Sequence, residues 1–564
     1  MIQMKNSYIL SAISLMSIPA ITTYAAEKKV LDPKHPEKKN VILILTDDMR
    51  FDMLNYAGGK AKTPNLDELR NSGTDFSNAC TVTGLSSPSR AALFTGRLAH
   101  RTGLNDNLHL WHCKDMTLPI EQSTIYEWAK DKNYNVGYFG KWHVGYVTPD
   151  VRGVDQYVGS ANECLRVKPK RPSFEAIERY YDKKVFKDKA DSPEKPDYYC
   201  KTTYEKSEPK KQVDLGIKFL NEAVNDERPF FLTVSFHYPH PPYRVPSPWN
   251  KMYDYRDVQL PPSYRKDMKK GLEYQYSVMW PWMDLGHMTE NDWKKTIAYS
   301  MGMVTMLDQA LGELFQTIKD KGLWDNTMIV FASDQGSMLA EHGLYDKGPY
   351  AYDGLMRIPL LMKVPGAKPE VVKHQVSLID INQTLVEYMG LQPRQSNQDS
   401  RSLLPLVYDG DEAWKNVPDE SFFFYEYYNG HWFGERAIRT PEYKYCFNPC
   451  GDDELYDLKN DPHEMVNLIN KPELKNVIKD LRVRLYKHLV KTEDDHAIKL
   501  FRDYTGIGRN TLRKLVEWKK LPVLKVGRKV LIKTDILEKF MEVNEGCDLR
   551  DKESVKTVTR NAAI

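Results

Sequence analysis

NVILILTDD, residues 40–48, is an unbroken apolar run closed by two carboxylates. It lacks the polar–apolar alternation of a half-exposed strand, so it reads as a strand buried on both faces of a parallel sheet. The same plan recurs in NVGYFGKWH (135–143), FFLTVSFHYPHPPY (230–243) and NTMIVFASDQG (326–336), each an apolar strand followed by polar residues. Helical patterns lie between them, at 123–133 and 304–322. Strands alternating with helices predict an α/β sandwich with a central, mainly parallel sheet. Ligands of such sheets sit at the carboxyl ends of the strands. All four polar clusters fall at those ends and are expected to converge.

The chain has 564 residues, more than one core usually organises, so two or more domains are expected. Apolar residues at 41% and charged residues at 28% place it among ordinary globular proteins. A net charge of +3 decides nothing about a polyanionic partner. At the N-terminus, Lys5, the run YILSAISLMSIPAI and the small residues of TTYAA follow the order of a secretory signal peptide, cut after Ala25 or Ala26. The run is short for a membrane span and is interrupted by Pro19, and no Cys follows it as in a lipoprotein. An exported, periplasmic or extracellular protein without a stable membrane anchor is expected. Seven cysteines follow, too scattered for a zinc ribbon. Cys446 and Cys450 are close enough for a local disulfide, and two thiols fit equally well.

The division expected is a signal peptide at 1–25, a catalytic domain at 26–394, a smaller α+β subdomain at 395–497 and a tail at 498–564. Residues 161–211, rich in Lys, Tyr, Pro and Asp, read as a long surface insertion. SFFFYEYY and AIRTPEYKYCF predict antiparallel strands, and ELYDLKNDPHEMVNLI leads into a terminal helix.

Asp47 and Asp48 alone would be a solvated turn. Asp334 and Gln335 repeat the oxygen-rich pair at an equivalent strand end, and together they offer hard ligands for Ca²⁺ or Mg²⁺. Lys141, His143, His240 and Lys347 are each unremarked singly. Gathered with Arg90 beside a divalent cation, they would hold a tetrahedral oxyanion.

LSSPSRAALFTGR (85–97) reads as a helix capped by its serines and proline and closed by a glycine. Its Ser86, Pro88 and Arg90 also form the SxPxR element by which the chain resembles the type I, formylglycine-dependent sulfatases of the alkaline-phosphatase-like superfamily. The resemblance spans roughly residues 38 to 490. It keeps the family order of TDD, SxPxR, GKWH, PHPP, SDQG, the later lysine and ELYDLKNDPHEMVNL. It implies that Ser86 is oxidised to formylglycine, whose hydrated aldehyde is the nucleophile. An anaerobic radical maturase is the implied partner. Asp47, Asp48, Asp334, Gln335 and modified Ser86 would bind the cation, Ca²⁺ in preference to Mg²⁺. Arg90 and Lys141 would hold nucleophile and sulfate, His143 would take the second diol proton, and His240 and Lys347 would face the leaving oxygen. Gln335 stands where relatives often carry Asn or His. The substrate implied is an organic sulfate ester, with a sulfated carbohydrate favoured. A phosphodiester or phosphonate monoester hydrolase is the enzymatic alternative.

The last 64 residues carry fifteen Lys or Arg against nine Asp or Glu. TGIGRNTLRKLVEWKKLPVLKVGRKVLIKTDILEKFM is similar to the winged helix-turn-helix domains of transposon excisionases. That resemblance makes Arg509, Asn510, Arg513, Lys514 and Arg528 candidate DNA contacts. A DNA-binding protein with an inert attached domain is the alternative of another class. An exported chain meets no chromosomal DNA, so the tail is read as a fusion remnant, with nucleic acid not an expected partner.

Overall fold

The structure is a computed structural model. It describes residues 39–108, 117–160, 202–265, 285, 288–395, 399–428 and 431–503, and in the tail 514–520, 524–526, 529–531, 540, 543–544, 547 and 551–558. The segment expected to be a signal peptide, Cys113, Cys164, Cys200, most of the 161–211 insertion, and Arg509, Asn510, Arg513 and Arg528 lie outside the described residues.

The first body contains β1 (Asn40–Thr46), β2 (Thr74–Phe76), β3 (Ala79–Cys80), β4 (Asn135–Gly140), β5 (Gln156–Gly159), β6 (Phe230–Ser235), β7 (Thr327–Ser333), β8 (Leu360–Lys363), β9 (Glu370–Val372) and β10 (Val376–Ser377). Eight of them form one sheet in the order β5-β4-β6-β1-β7-β8-β2-β9. The five from β5 to β7 run parallel, and β8 is antiparallel to both its neighbours. The expected α/β sandwich with a mainly parallel sheet is what forms.

β1 is central and every residue in it is buried. Its side chains part by period two. Val41, Leu43 and Leu45 enter one core, and Ile42 and Ile44 enter the other. The helices Ser86–Thr95, Ile125–Asp131 and Asp380–Met389 cover the first face. Pro64–Asn71, Glu208–Ala223 and Glu290–Asp320 cover the second. The last of these begins well before the 304–322 pattern, at a capping box in which Thr289 and Asp292 bond reciprocally.

A second sheet, β11 (Ser421–Tyr428), β12 (His431–Arg439), β13 (Tyr443–Phe447) and β14 (Glu454–Asp457), is antiparallel throughout, as the sequence predicts. The helix Lys475–Thr492 packs on one face through Leu481, Leu485 and Leu489. The other face, with Phe423, Tyr425 and Tyr428, lies against residues 338–356 of the first body. Leu404, Leu406 and Trp414 still belong to the first core, and the second sheet begins at Ser421. Cys446 and Cys450 are not joined: Cys446 is buried in β13 and Cys450 is exposed. Among the described residues no helix is long and apolar enough to cross a membrane.

Candidate active site

The site lies where β1, β4, β6 and β7 end together. Asp47 and Asp48 follow β1, Lys141 follows β4, His237 and His240 follow β6, and Asp334 and Gln335 follow β7. Two backbone features aim these groups. Gly140 ends β4 at φ 113, and a Cβ there would sit 1.7 Å from the Ser235 carbonyl oxygen, so the strand can turn into Lys141 only through glycine. Asp48, His143 and Asp346 take left-handed φ of 61, 59 and 54. Strain of that kind, costing about 1–3 kcal/mol per residue, is typical of functional sites.

Ser86 opens the helix Ser86–Thr95, whose residues are all buried. The expectation that its serines cap this helix is corrected. The N-cap is Leu85, which makes no side-chain cap bond, and Ser86 and Ser87 are the first two helical residues. A distant side chain takes over the cap's task, because the Ser87 N–H donates to Asn107 Oδ1 at 3.1 Å. Gly96 does close the helix, at φ 69. With the cap role vacated, the Ser86 hydroxyl turns to the strand ends. It donates to Asp47 Oδ1 at 2.8 Å and accepts from Lys141 Nζ at 3.3 Å and Gln335 Nε2 at 3.0 Å.

Around it, carboxylates and cations interleave. Lys141 pairs with Asp47 Oδ2, and His237 Nδ1 lies 3.4 Å from the same oxygen. Lys347 Nζ donates to both Asp48 oxygens, at 2.8 and 3.1 Å. His240 Nε2 lies 3.7 Å from Asp48 Oδ2. Gln335 Nε2 donates to Asp47 at 3.2 Å and to Asp48. Arg90 is wholly buried, and its NH2 makes no hydrogen bond among the described residues. Its Nε binds Asp334 Oδ2 at 2.7 Å, and its NH1 binds the Lys141 carbonyl and Ser235 Oγ at 2.9 and 2.8 Å. Ser89 and Thr81 hydroxyls donate to the Asp334 carbonyl at 2.6 and 2.7 Å. His143 stands two residues beyond Lys141, half-buried.

Burial works to raise the Asp47 carboxyl, yet Lys141, His240, Lys347 and His237 outweigh it and hold it well below the usual carboxylate range. Asp334 goes the other way, pushed up to about 6 by burial and by Asp47. Burial, reinforced by Lys347, lowers the His240 imidazole.

The donor set fits a divalent cation. Asp47, Asp48 and Asp334 each offer an oxygen within 4.8 Å of the others, all buried. Gln335 Oε1 is buried beside them without a hydrogen bond. A half-turn of that amide would bring this oxygen to where Nε2 now stands. An all-oxygen set of this charge suits a hard ion such as Ca²⁺.

Sequence reading missed His237, Asp346, Glu208 and Ser235. The His237 ring lies tilted against that of His240 with centroids 4.5 Å apart, and the His237 backbone N–H donates to Glu208 Oε1 at 3.1 Å. The strand-end rule that selected Lys141 would also have found His237. Asp346, whose Oδ1 lies 3.7 Å from Lys347 Nζ, carries no comparable signal.

Fold and site together define an ester-hydrolysing enzyme of the alkaline-phosphatase-like superfamily. More narrowly, the chain belongs to the sulfatase family, which residues 39–391 match. Residues 340–491 match the C-terminal region of N-sulphoglucosamine sulphohydrolase, and residues 502–544 match a helix-turn-helix domain. An ulvan-active sulfatase of Formosa agariphila is 29% identical over 88% of this chain and 89% of its own. An N-acetylglucosamine-6-O-sulfatase of Bacteroides thetaiotaomicron is 25% identical over 80% and 86%. Among solved structures, a phosphonate monoester hydrolase of Agrobacterium radiobacter superposes with a TM-score of 0.66 at 22% identity, covering 81% of this chain and 96% of that one. A protein in complex with its substrate D-glucosamine-2-N,6-O-disulfate superposes at 0.65 and 21%, covering 81% and 99%.

Proposed function

We propose that this sulfatase hydrolyses carbohydrate sulfate esters with a formylglycine made from Ser86. One observation carries the reading: the Ser86 hydroxyl sits at a helix N-terminus, 2.8 Å from Asp47 and 3.3 Å from Lys141. The N-terminal N–H groups of that helix favour an anion in front of them. Formylglycine at this position would supply a hydrated aldehyde that attacks sulfur with one hydroxyl and releases sulfate through the other. Ca²⁺ held by Asp47, Asp48, Asp334, Gln335 and residue 86 would neutralise sulfate oxygens and lower the proton affinity of the nucleophile.

The chain's own groups divide the rest. Arg90 holds Asp334 through its Nε and would share with Lys141 the hold on nucleophile and sulfate. Lys141, between Asp47 and residue 86, orients the nucleophile and one sulfate oxygen. His143 takes the remaining diol proton at release. His240 and Lys347, both against Asp48, face the ester oxygen and supply the proton that the leaving alcohol needs. The named substrates of relatives favour a sulfated sugar, and an anaerobic maturase in the producing cell would oxidise Ser86. The N-terminal run makes this an exported protein, and the basic tail is a fusion remnant without a DNA role.

Peptide mass spectrometry across residues 86–97 of active protein tests the reading. Oxidation removes about two hydrogens from Ser86, whereas unmodified serine alone in fully active protein refutes the mechanism. Turnover of sulfated glucosamine, set against a phosphate diester, separates it from the phosphonate-hydrolase alternative.

A further inference from the structure

ELYDLKNDPHEMVNL lies in the second sheet and the turn after it, away from the strand ends where the chemistry gathers. Its contacts lead back to the site through one loop. Residues 336–355 leave the end of β7 and return beside it, with the Gly336 N–H donating to the Leu355 carbonyl at 2.9 Å. Lys347 lies within this loop, and both carbonyls flanking its Cα accept hydrogen bonds. The Asp346 carbonyl accepts from the Met338 N–H at 2.7 Å and from Ser337 Oγ at 3.3 Å, both on the outgoing arm of the same loop. The Lys347 carbonyl accepts from the Tyr428 hydroxyl of β11 at 3.3 Å.

The returning arm is pinned more firmly still. Lys444 of β13 has no exposed side-chain surface, and its Nζ reaches three oxygens. They are the Ala351 carbonyl at 2.7 Å, Asp353 Oδ1 at 2.6 Å and Glu464 Oε1 at 2.6 Å. An ammonium has three donors, so all are used. The other Glu464 oxygen accepts from the Asp353 N–H at 2.7 Å. Arg439 of β12 closes the network on Asp353, at 3.0 Å from Nε and 2.8 Å from NH2. Glu464 is the glutamate of the DPHEM turn, placed by a left-handed φ of 54.

We propose that Tyr428, Lys444 and Glu464 are positioning residues that fix where Lys347 stands over the leaving group. The second sheet thereby acts on the chemistry through this loop. The inference rests on the reading that Lys347 faces the ester oxygen. A buried network of this kind is uniquely satisfied in one arrangement, so it holds the loop in one place.

The test uses the full chain and two variants that keep shape, Glu464→Gln and Tyr428→Phe, with Lys347→Ala as reference. Hydrogen exchange is followed by mass spectrometry over residues 338–356, and kcat/KM is measured on aryl sulfates of graded phenol acidity. Faster exchange confined to the loop is expected, together with a loss of about tenfold on the poorest leaving groups, since small misplacements of a reacting group are costly. Good leaving groups should lose less than poor ones, and Lys347→Ala should show the same ordering with a larger loss throughout. Unchanged loop exchange in both variants overturns the proposed clamp. Faster exchange with an unchanged leaving-group dependence in all three variants overturns the Lys347 reading, and the inference with it. A uniform loss across leaving groups, with KM alone altered, also overturns it.

Discussion

Arg90 Nε lies 2.7 Å from Asp334 Oδ2, and neither side chain has any exposed surface. The pair joins the SxPxR helix to the end of β7 across 244 residues of chain. Removing one partner of such a pair leaves an uncompensated buried charge, which costs about 3–5 kcal/mol. Arg90→Ala is therefore expected to destabilise the protein by about that amount in chemical denaturation. It should also weaken Ca²⁺ binding about 10–100-fold in a calorimetric titration, because Asp334 loses the partner that orients it. Arg90→Lys should not rescue it, since a lysine cannot reproduce the guanidinium contacts to Asp334, Lys141 and Ser235.

The three buried carboxylates repel one another when no cation stands among them. Chelation is expected to lower the unfolding temperature as well as activity, and added Ca²⁺ to restore both. At a hundred times its dissociation constant the ion stabilises the folded state by about 2.7 kcal/mol. A melting temperature that ignores both chelator and Ca²⁺ would remove Asp47, Asp48 and Asp334 as a cation site.

Gly140 makes a sharper structural prediction. Alanine there would be strained at φ 113 and would drive its Cβ into the Ser235 carbonyl. That carbonyl also accepts the Lys141 N–H at 3.0 Å. β4 must therefore move off β6 and carry Lys141 away from Asp47 and Ser86. A loss of about 3 kcal/mol or more in stability is expected. Activity should fall further than stability alone explains, measured as kcat on the folded fraction.

These contacts show what local sequence carries and what it does not. β1 was legible because a two-sided burial pattern needs no partner to be recognised, and the strand-end rule then assembled Asp47, Asp48, Lys141, His240, Asp334 and Gln335. Ser86 is legible as a special serine but not as a helical residue, because the group that satisfies the helix end is Asn107, twenty residues beyond Ser87. The orientation of Arg90 toward Asp334, and the reach of Tyr428 and Lys444 to the Lys347 loop, arise from packing of elements far apart in the chain. No local pattern encodes them.

Glu454 gives a pH dependence. Burial first, then Glu464, raise its carboxyl from an ordinary value near 4.5 to about 7, although the Tyr456 hydroxyl donates to it at 2.9 Å and opposes the shift. Between those two values the folded state binds more protons than the unfolded chain, so stability falls as pH rises. Glu454→Gln removes this group's titration and is expected to flatten the decline between about pH 5 and 7. Urea midpoints across that range check it, and an equally steep decline in the variant would count against the assignment.

The tail offers the last prediction. Among the described residues its hydrogen bonds are internal: Lys520 Nζ donates to the Val555 carbonyl at 2.7 Å, and the Lys556 N–H donates to Asn544 Oδ1 at 2.6 Å. Leu524–Val526 and Lys529–Leu531 pair as an antiparallel hairpin, and Lys514 is exposed. Among the described residues no hydrogen bond or ion pair joins 514–558 to 39–503. The site, by contrast, is complete within 47–347. Truncation after Asp503 should therefore leave kcat/KM within about twofold and the unfolding midpoint within about 0.5 kcal/mol. A larger loss would show that the tail supports the enzyme. A gel shift of the full chain that weakens steeply with salt and vanishes on truncation would instead give the tail a nucleic-acid role of its own.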